Sequence, residues 1–212
     1  MFLFDLDGTL IDSNGLWAEV DRTFLSRRGF PYTRAYYEGV AHTILPKAAV
    51  FTKEYCSLSE SCEEIMAEWM ALARERYAHV PLKPHAKEAL SLLRSRGERM
   101  ALLTSCVPVN ARTALGVHSL DGFFERVIYA QDLGLDKGSP EIFRRAAREL
   151  GVETADCVLL DDSLRSCKSA KEAGLRVIGV YDALFDFDRS EMERVCDRYL
   201  TDLGELSALL PL

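Results

Sequence analysis

The sequence predicts an α/β fold: a parallel sheet flanked by helices and interrupted by an all-helical insertion. Three observations lead there. Past residue 80, short apolar or β-branched runs alternate with helical patterns, the texture of a parallel sheet covered on both faces. A run of the same kind, Met1 to Phe4, stands far upstream of the others. Between them, from about Asn14 to Lys83, helical stripes occur without a convincing strand.

Each element has its own signal. Met1–Phe4 meets Asp5 after four residues and reads as a short buried strand. In the insertion, Leu16, Val20 and Phe24 and then Ile65, Trp69, Ala73 and Tyr77 recur at helical spacing. Met66, Trp69, Met70 and Tyr77 read as its core. The chain returns through Val80-Pro81-Leu82-Lys83-Pro84, where two prolines disfavour helix and stiffen the joint. From Pro84 to Arg96 the stripe Ala86, Ala89, Leu90, Leu93 predicts a helix that Gly97 stops. Strands are predicted at Met100–Thr104, Val127–Tyr129, Val158–Asp161 and Val177–Val180, each run too short for a helix. Ser139-Pro140 reads as an N-cap and first helical position, Ile142, Phe143, Ala146, Ala147 and Leu150 as the buried face, and Gly151 as the stop. Ser163 is expected to cap a further helix closing at Gly174. The division expected is a core of residues 1–13 and 84–212 and a helical insertion of residues 14–83.

Composition bounds the function. Of 212 residues, 48% are hydrophobic and 28% charged, which is ordinary globular usage and excludes a disordered chain. Lys and Arg total 26 against 33 Asp and Glu, a net charge of −7. Nucleic acid and anionic membrane are therefore not expected partners, because both need a basic surface. A small anionic substrate stays open, since a local site can oppose the global sign. The start MFLFDLDGTL lacks the basic and apolar regions of a signal peptide, and no apolar run approaches the ~20 residues of a membrane span. The six cysteines, Cys56, Cys62, Cys106, Cys157, Cys167 and Cys196, have neither zinc-site spacing nor a dense framework. They read as reduced thiols packed in a cytoplasmic protein.

In open parallel sheets the functional crevice lies beyond the carboxyl ends of the strands. That rule selects Asp5-Leu6-Asp7-Gly8-Thr9, Thr104-Ser105, the Lys137 loop and Asp161-Asp162-Ser163. Carboxylates gathered at such an edge repel one another unless a cation neutralises them, and Mg²⁺ is the hard, oxygen-seeking ion that suits them. Phosphoryl transfer needs a nucleophile, a proton donor for the leaving oxygen and positive charge around the moving group. Asp5 and Asp7, two apart at a strand end, point to roughly the same side, so one can attack while the other manages protons. Gly8 permits a tight turn just past them. Thr104 and Ser105 offer hydroxyl and backbone donors, and Lys137 a point charge suited to phosphate.

These residues resemble a known pattern. FLFDLDGTLIDS is similar to the opening motif of the haloacid dehalogenase superfamily of phosphotransferases. ALLTS follows as its second motif, Lys137 with Ser139-Pro140-Glu141-Ile142-Phe143 as its third, and LLDDS as its fourth. The resemblance spans nearly the whole chain. It implies a Rossmann-like core, and for the insertion the cap found after strand one in the small phosphatases and sugar-phosphate mutases. Carried over, it implies Asp5 as nucleophile and metal ligand, and Asp7 as general acid/base with its backbone carbonyl on the metal. It further implies Thr104 and Ser105 as phosphate binders, Lys137 as charge stabiliser, and Asp161 and Asp162 as the remaining Mg²⁺ ligands, one directly and one through water. His42, in Gly39-Val40-Ala41-His42-Thr43, falls where the resemblance places a substrate-facing cap loop. The family usually follows the third-motif lysine with proline; Gly138 stands here, which predicts a looser hold on Lys137.

The function expected is a Mg²⁺-dependent phosphatase of a small phosphorylated metabolite. A sugar phosphomutase on the same aspartyl-phosphate and a non-catalytic module that keeps the fold are the alternatives. The blander reading of the acidic pairs is helix capping by Asp161 and Asp162 and a solvated turn at Asp5 and Asp7. No P-loop, GxGxxG, GxSxG or HExxH motif is present.

Overall fold

β1 (Phe2–Phe4) is three residues long and wholly buried, which is possible only because both of its edges are paired. The structure is a computed structural model that describes residues 1–40 and 45–209. β1 lies parallel between β2 (Met100–Thr104) and β4 (Val158–Asp161), with Phe4 opposite Leu102 on one side and Leu160 on the other. β3 (Arg126–Tyr129), β5 (Arg176–Val180) and β6 (Arg198–Leu200) complete a six-stranded parallel sheet in the order β3-β2-β1-β4-β5-β6. This is a doubly wound, Rossmann-like arrangement. The order reverses between β1 and β4, so the switch point opens beyond Phe4 and Asp161.

In the order of the chain, the helices are α1 (Leu16–Ser26), α2 (Arg34–Val40), α3 (Leu45–Tyr55), α4 (Cys62–Tyr77), α5 (Ala86–Ser95), α6 (Pro108–His118), α7 (Ala130–Leu133), α8 (Pro140–Leu150), α9 (Leu164–Ala173), α10 (Arg189–Val195) and α11 (Leu206–Leu209). Alternation along the strands sorts the core. Leu3, Ala101, Leu103, Leu159 and Val177 pack with Ile142, Phe143 and Ala146 of α8 and Cys167 and Ala170 of α9. The intervening Phe2, Phe4, Leu102 and Leu160 are buried on the opposite face, where Phe4 meets Phe124 edge-on at 6.1 Å. Both faces are therefore covered, as the continuous apolar strands require.

Local chemistry sets the ends of the helices that carry the site. Ser139 caps α8 by accepting the Glu141 N–H, and Gly151 closes it in the left-handed region at φ 66°. Ser163 caps α9 by accepting the Ser166 N–H, and Gly174 closes it at φ 95°.

The chain packs as two compact units, Met1–Asn14 with His79–Leu212, and Gly15–Ala78. The second is entirely helical. α4 begins with a capping box between Ser61 and Glu64 and buries Ile65, Trp69, Ala73 and Tyr77. Met66 and Met70 are only half-buried, because they flank that stripe rather than lie on it. Among the described residues no helix is long and apolar enough to cross a membrane, and the six cysteines are free thiols.

Inside the helical unit the Asp21 carboxylate accepts a hydrogen bond from the Tyr36 hydroxyl at 3.3 Å, and that hydroxyl also meets Thr52 at 2.9 Å. Burial raises Asp21 to about 6, against the opposing pull of the Tyr36 bond. The folded state thus holds this proton more tightly than the unfolded chain. The stability from protonation is present below about pH 4 and is lost as pH rises through about 6. Asp21→Asn should therefore stabilise the protein at pH 7.5 by roughly 1–2 kcal/mol, discounted for partial solvation. It should have little effect at pH 4, and thermal melts of both proteins across that range provide the check.

Candidate active site

Asp5 follows β1 directly, and its N–H donates to Leu160 O of β4 at 2.9 Å. The chain then turns back on itself: Gly8 N–H donates to Ile11 O at 2.8 Å and Leu10 N–H to Leu6 O at 2.9 Å. Gly8 has φ +78°, and a Cβ there would lie 2.7 Å from Asp162 Cγ. Only glycine can make this turn and leave room for the second acidic pair.

The ion pairs converge on Lys137. Its Nζ donates to Asp5 Oδ1 at 2.6 Å and to Asp161 Oδ2 at 2.7 Å. With Gly138 beside it, the Lys137 side chain is only 11% exposed and bridges Asp5, just past β1, and Asp161 at the end of β4. Asp161 Oδ2 also accepts from Ser166 Oγ at 2.6 Å, and its Oδ1 from Ser163 N–H at 2.9 Å. Asp162 accepts one donor on each oxygen, Thr9 Oγ1 at 3.0 Å and Asn14 Nδ2 at 2.8 Å. Asp161 therefore helps to order the start of α9, as the capping reading supposed, but it does so while bound to a buried lysine.

One carboxylate oxygen from each of Asp5, Asp161 and Asp162 lies within 4.8 Å of the others, and all three residues are buried. Unit charges at that spacing repel by about 3 kcal/mol per pair at an effective dielectric of about 20. Burial, opposed by Lys137 and reinforced by Asp161, Asp162 and Asp7, pushes Asp5 well above the usual carboxylate range. Burial and then Asp161 push Asp162 up to about 7, against the hydrogen bonds of Asn14 and Thr9. Burial pulls Lys137 down, but Asp161 and Asp5 outweigh it and hold the ammonium above its ordinary value. One cation among three buried carboxylates leaves a net negative pocket of hard oxygen donors, and such a donor set fits a divalent ion of the Mg²⁺ type.

The other expected residues are placed as follows. Asp7 is partly exposed, its Oδ1 accepting from Ser13 Oγ at 2.6 Å, and its side chain lies outside the three-carboxylate group. Thr104 ends β2, fully buried, and its Oγ1 accepts the Cys106 N–H at 3.0 Å; Ser105 next to it is exposed. Neither makes a hydrogen bond to the acidic cluster among the described residues. His42 lies outside the described residues. Sequence reasoning placed Thr9 at the crevice without a role and passed over Ser13, Asn14 and Ser166. The polar pair Ser13-Asn14 just past the opening motif was the available signal for two of them.

Comparison with known proteins completes the identification. The family profile described as Haloacid dehalogenase-like hydrolase matches residues 2–180. The Phosphorylated carbohydrates phosphatase of Thermotoga maritima is 25% identical over 87% of this chain and 86% of its own length. Hexitol phosphatase B of Escherichia coli is 27% identical over 84% of this chain and 82% of its own. The Bifunctional riboflavin kinase/FMN phosphatase of Arabidopsis thaliana is 28% identical over 84% of this chain, which spans 47% of that protein. Among solved structures, a candidate beta-phosphoglucomutase from Thermotoga maritima superposes with a TM-score of 0.84 at 23% identity over 99% of both chains. CbbY from Rhodobacter sphaeroides, in complex with phosphate, gives 0.77 at 24% identity over 97% of this chain and 95% of its own. These structures share the fold, the relatives are named as phosphatases, and the profile covers most of the chain, so this protein is a member of the haloacid dehalogenase-like hydrolase family.

Proposed function

We propose that the chain is a Mg²⁺-dependent phosphatase acting on a small phosphomonoester through an aspartyl-phosphate on Asp5. The observation that carries this reading is the buried bridge from Lys137 to Asp5 and Asp161, beside Asp162, at the switch point of the sheet. In the proposed cycle an Asp5 carboxylate oxygen attacks phosphorus while the bond to the leaving oxygen breaks and Asp7 gives that oxygen a proton. Asp7, now a carboxylate, takes a proton from water; the water oxygen attacks phosphorus, the bond to Asp5 breaks, and inorganic phosphate leaves. Lys137 opposes the charge that develops on the Asp5 and phosphoryl oxygens. Thr104 and Ser105, at the end of the neighbouring strand, would steady the phosphoryl group.

The residues that would hold the ion are Asp5, the Asp7 carbonyl and Asp162, with Asp161 behind them. Asp161 already takes three protein donors, one of them the lysine, whereas each Asp162 oxygen takes one and keeps a lone pair free. When bound, Mg²⁺ would neutralise negative charge on the carboxylates and the phosphoryl oxygens. The helical unit, inserted a few residues after Asp7, would serve as the cap that excludes water and reads the leaving group. Free thiols agree with a reducing, cytoplasmic setting.

The test is hydrolysis of p-nitrophenyl phosphate by the purified protein. Turnover should require Mg²⁺ and vanish with chelator. Half-saturation should need less Mg²⁺ as pH rises through about 7, because Asp162 must lose its proton to bind the ion. Activity that persists in chelator sinks the metal reading. No turnover across a panel of phosphate esters favours the binding module. Isomerised sugar phosphate in place of inorganic phosphate identifies the mutase.

A further inference from the structure

The segment that carries Lys137 is pinned from outside the acidic cluster. Gly138 lies directly against the Arg165 guanidinium, and a Cβ at that position would sit 2.5 Å from Arg165 Cζ and Nη2. Arg165 Nη2 also pairs with Asp136 Oδ1 at 2.9 Å. The same Asp136 oxygen accepts the Gly138 N–H at 2.6 Å, and Asp136 O accepts the Ser139 N–H at 2.9 Å. Lys137 thus sits between a carboxylate that reaches over it to the Gly138 N–H and a glycine packed against the Arg165 guanidinium. Arg165 is also the neighbour of Ser166 on α9, whose hydroxyl donates to the Asp161 oxygen that binds Lys137 Nζ. Consecutive residues of one helical turn therefore fix the loop backbone and the lysine's acceptor.

We propose that Arg165 is a positioning residue, which with Asp136 clamps the Gly138 peptide and so holds Lys137 in reach of Asp5 and Asp161. The proposal rests on the reading of Lys137 as the charge-stabilising lysine of the phosphatase. As an ion pair alone the Arg165–Asp136 contact does little, since the two side chains are 73% and 66% exposed and such pairs contribute little to stability. Its effect is geometric. Lysine is a point charge on a flexible four-carbon stem, and glycine leaves the backbone beside it free to wander unless something covers it. The guanidinium provides that cover and occupies the space a side chain at residue 138 would need. A misplacement of about 1 Å in a charge-stabilising group is enough to cost on the order of 100-fold in rate.

The experiment is a double-mutant cycle on p-nitrophenyl phosphate hydrolysis, read as kcat and KM separately, with Lys137→Ala and melting temperatures measured alongside. Arg165→Ala should lower kcat about tenfold, leave KM within about twofold and leave the melting temperature unchanged. Arg165→Lys should not restore kcat, because a compact ammonium cannot both pair with Asp136 and fill the space beside Gly138. Gly138→Ala alone should cost a similar factor, its methyl group forcing the guanidinium away. Combined with Arg165→Ala, the same methyl enters vacated space and stiffens the loop, so the double variant should return to within about threefold of the parent. Unchanged kcat in Arg165→Ala, a rise in KM alone, or strictly multiplicative losses in the double variant would each overturn the clamp. A Lys137→Ala protein that turns over like the parent overturns the phosphatase reading itself. A dead Lys137→Ala beside an unaffected Arg165→Ala overturns only the clamp.

Discussion

Asp5→Asn should lower kcat by on the order of 10⁴-fold while the protein folds as before. The amide has the shape of the carboxylate but lacks the anionic oxygen that would attack phosphorus. Its effect on stability should run the other way from its effect on rate. Asp5 is one of three buried carboxylates within 4.8 Å, and burial with its like-charged neighbours already pushes it well above the ordinary range. Removing that charge relieves repulsion, and Lys137 keeps its bond to Asp161 at 2.7 Å. A melting temperature equal to or above that of the parent, with phosphate release lost, is the expected pair of results. Retention of more than a tenth of the parent rate would falsify the nucleophile assignment.

Lys137→Met should damage both stability and turnover. The substitution removes the only ammonium described against Asp5 and Asp161 and leaves three buried carboxylates facing one another. Removing one partner of a buried pair costs about 3–5 kcal/mol, which in a chain of this length lowers the melting temperature by on the order of 10 °C. Part of that loss should return on adding Mg²⁺, since a divalent cation supplies the missing positive charge. Turnover should fall on the order of 10²- to 10³-fold even at saturating Mg²⁺. Calorimetric scans with chelator and with Mg²⁺, beside initial rates, separate the two effects. A variant as stable as the parent in chelator would show that the cluster's charges are relieved by protonation alone.

The fold was legible wherever burial forces apolar residues into short runs. β2 and β4 span the residues their runs predict, Met100–Thr104 and Val158–Asp161. β3 and β5 each start one residue earlier, at Arg126 and Arg176, because an exposed arginine can pair through its backbone without belonging to an apolar run. β6 left no such trace: Arg198-Tyr199-Leu200 pairs only with β5 and buries one residue of three. α6 was hidden for a related reason, since its buried face is Asn110, Ala111, Ala114 and Leu115, small or polar enough to pass for loop. At the site, the strand-end aspartates stood out because a carboxylate closing a buried strand needs a physical reason. Ser166 and Asn14 did not, because short polar residues beside a helix start read as caps, and only the fold brings them to Asp161 and Asp162. The Arg165 contact was equally invisible, for it depends on the Asp136–Gly138 loop meeting the first turn of α9.

The pairing of β1 also has a consequence for biosynthesis. Phe2 aligns with Met100 on one side and Val158 on the other, so this strand emerges from the ribosome long before either neighbour exists. The helical segment from Gly15 to Ala78, which packs as a unit of its own in the folded chain, is made in between. Phe2, Leu3 and Phe4 must wait unpaired until then, an apolar stretch exposed during synthesis.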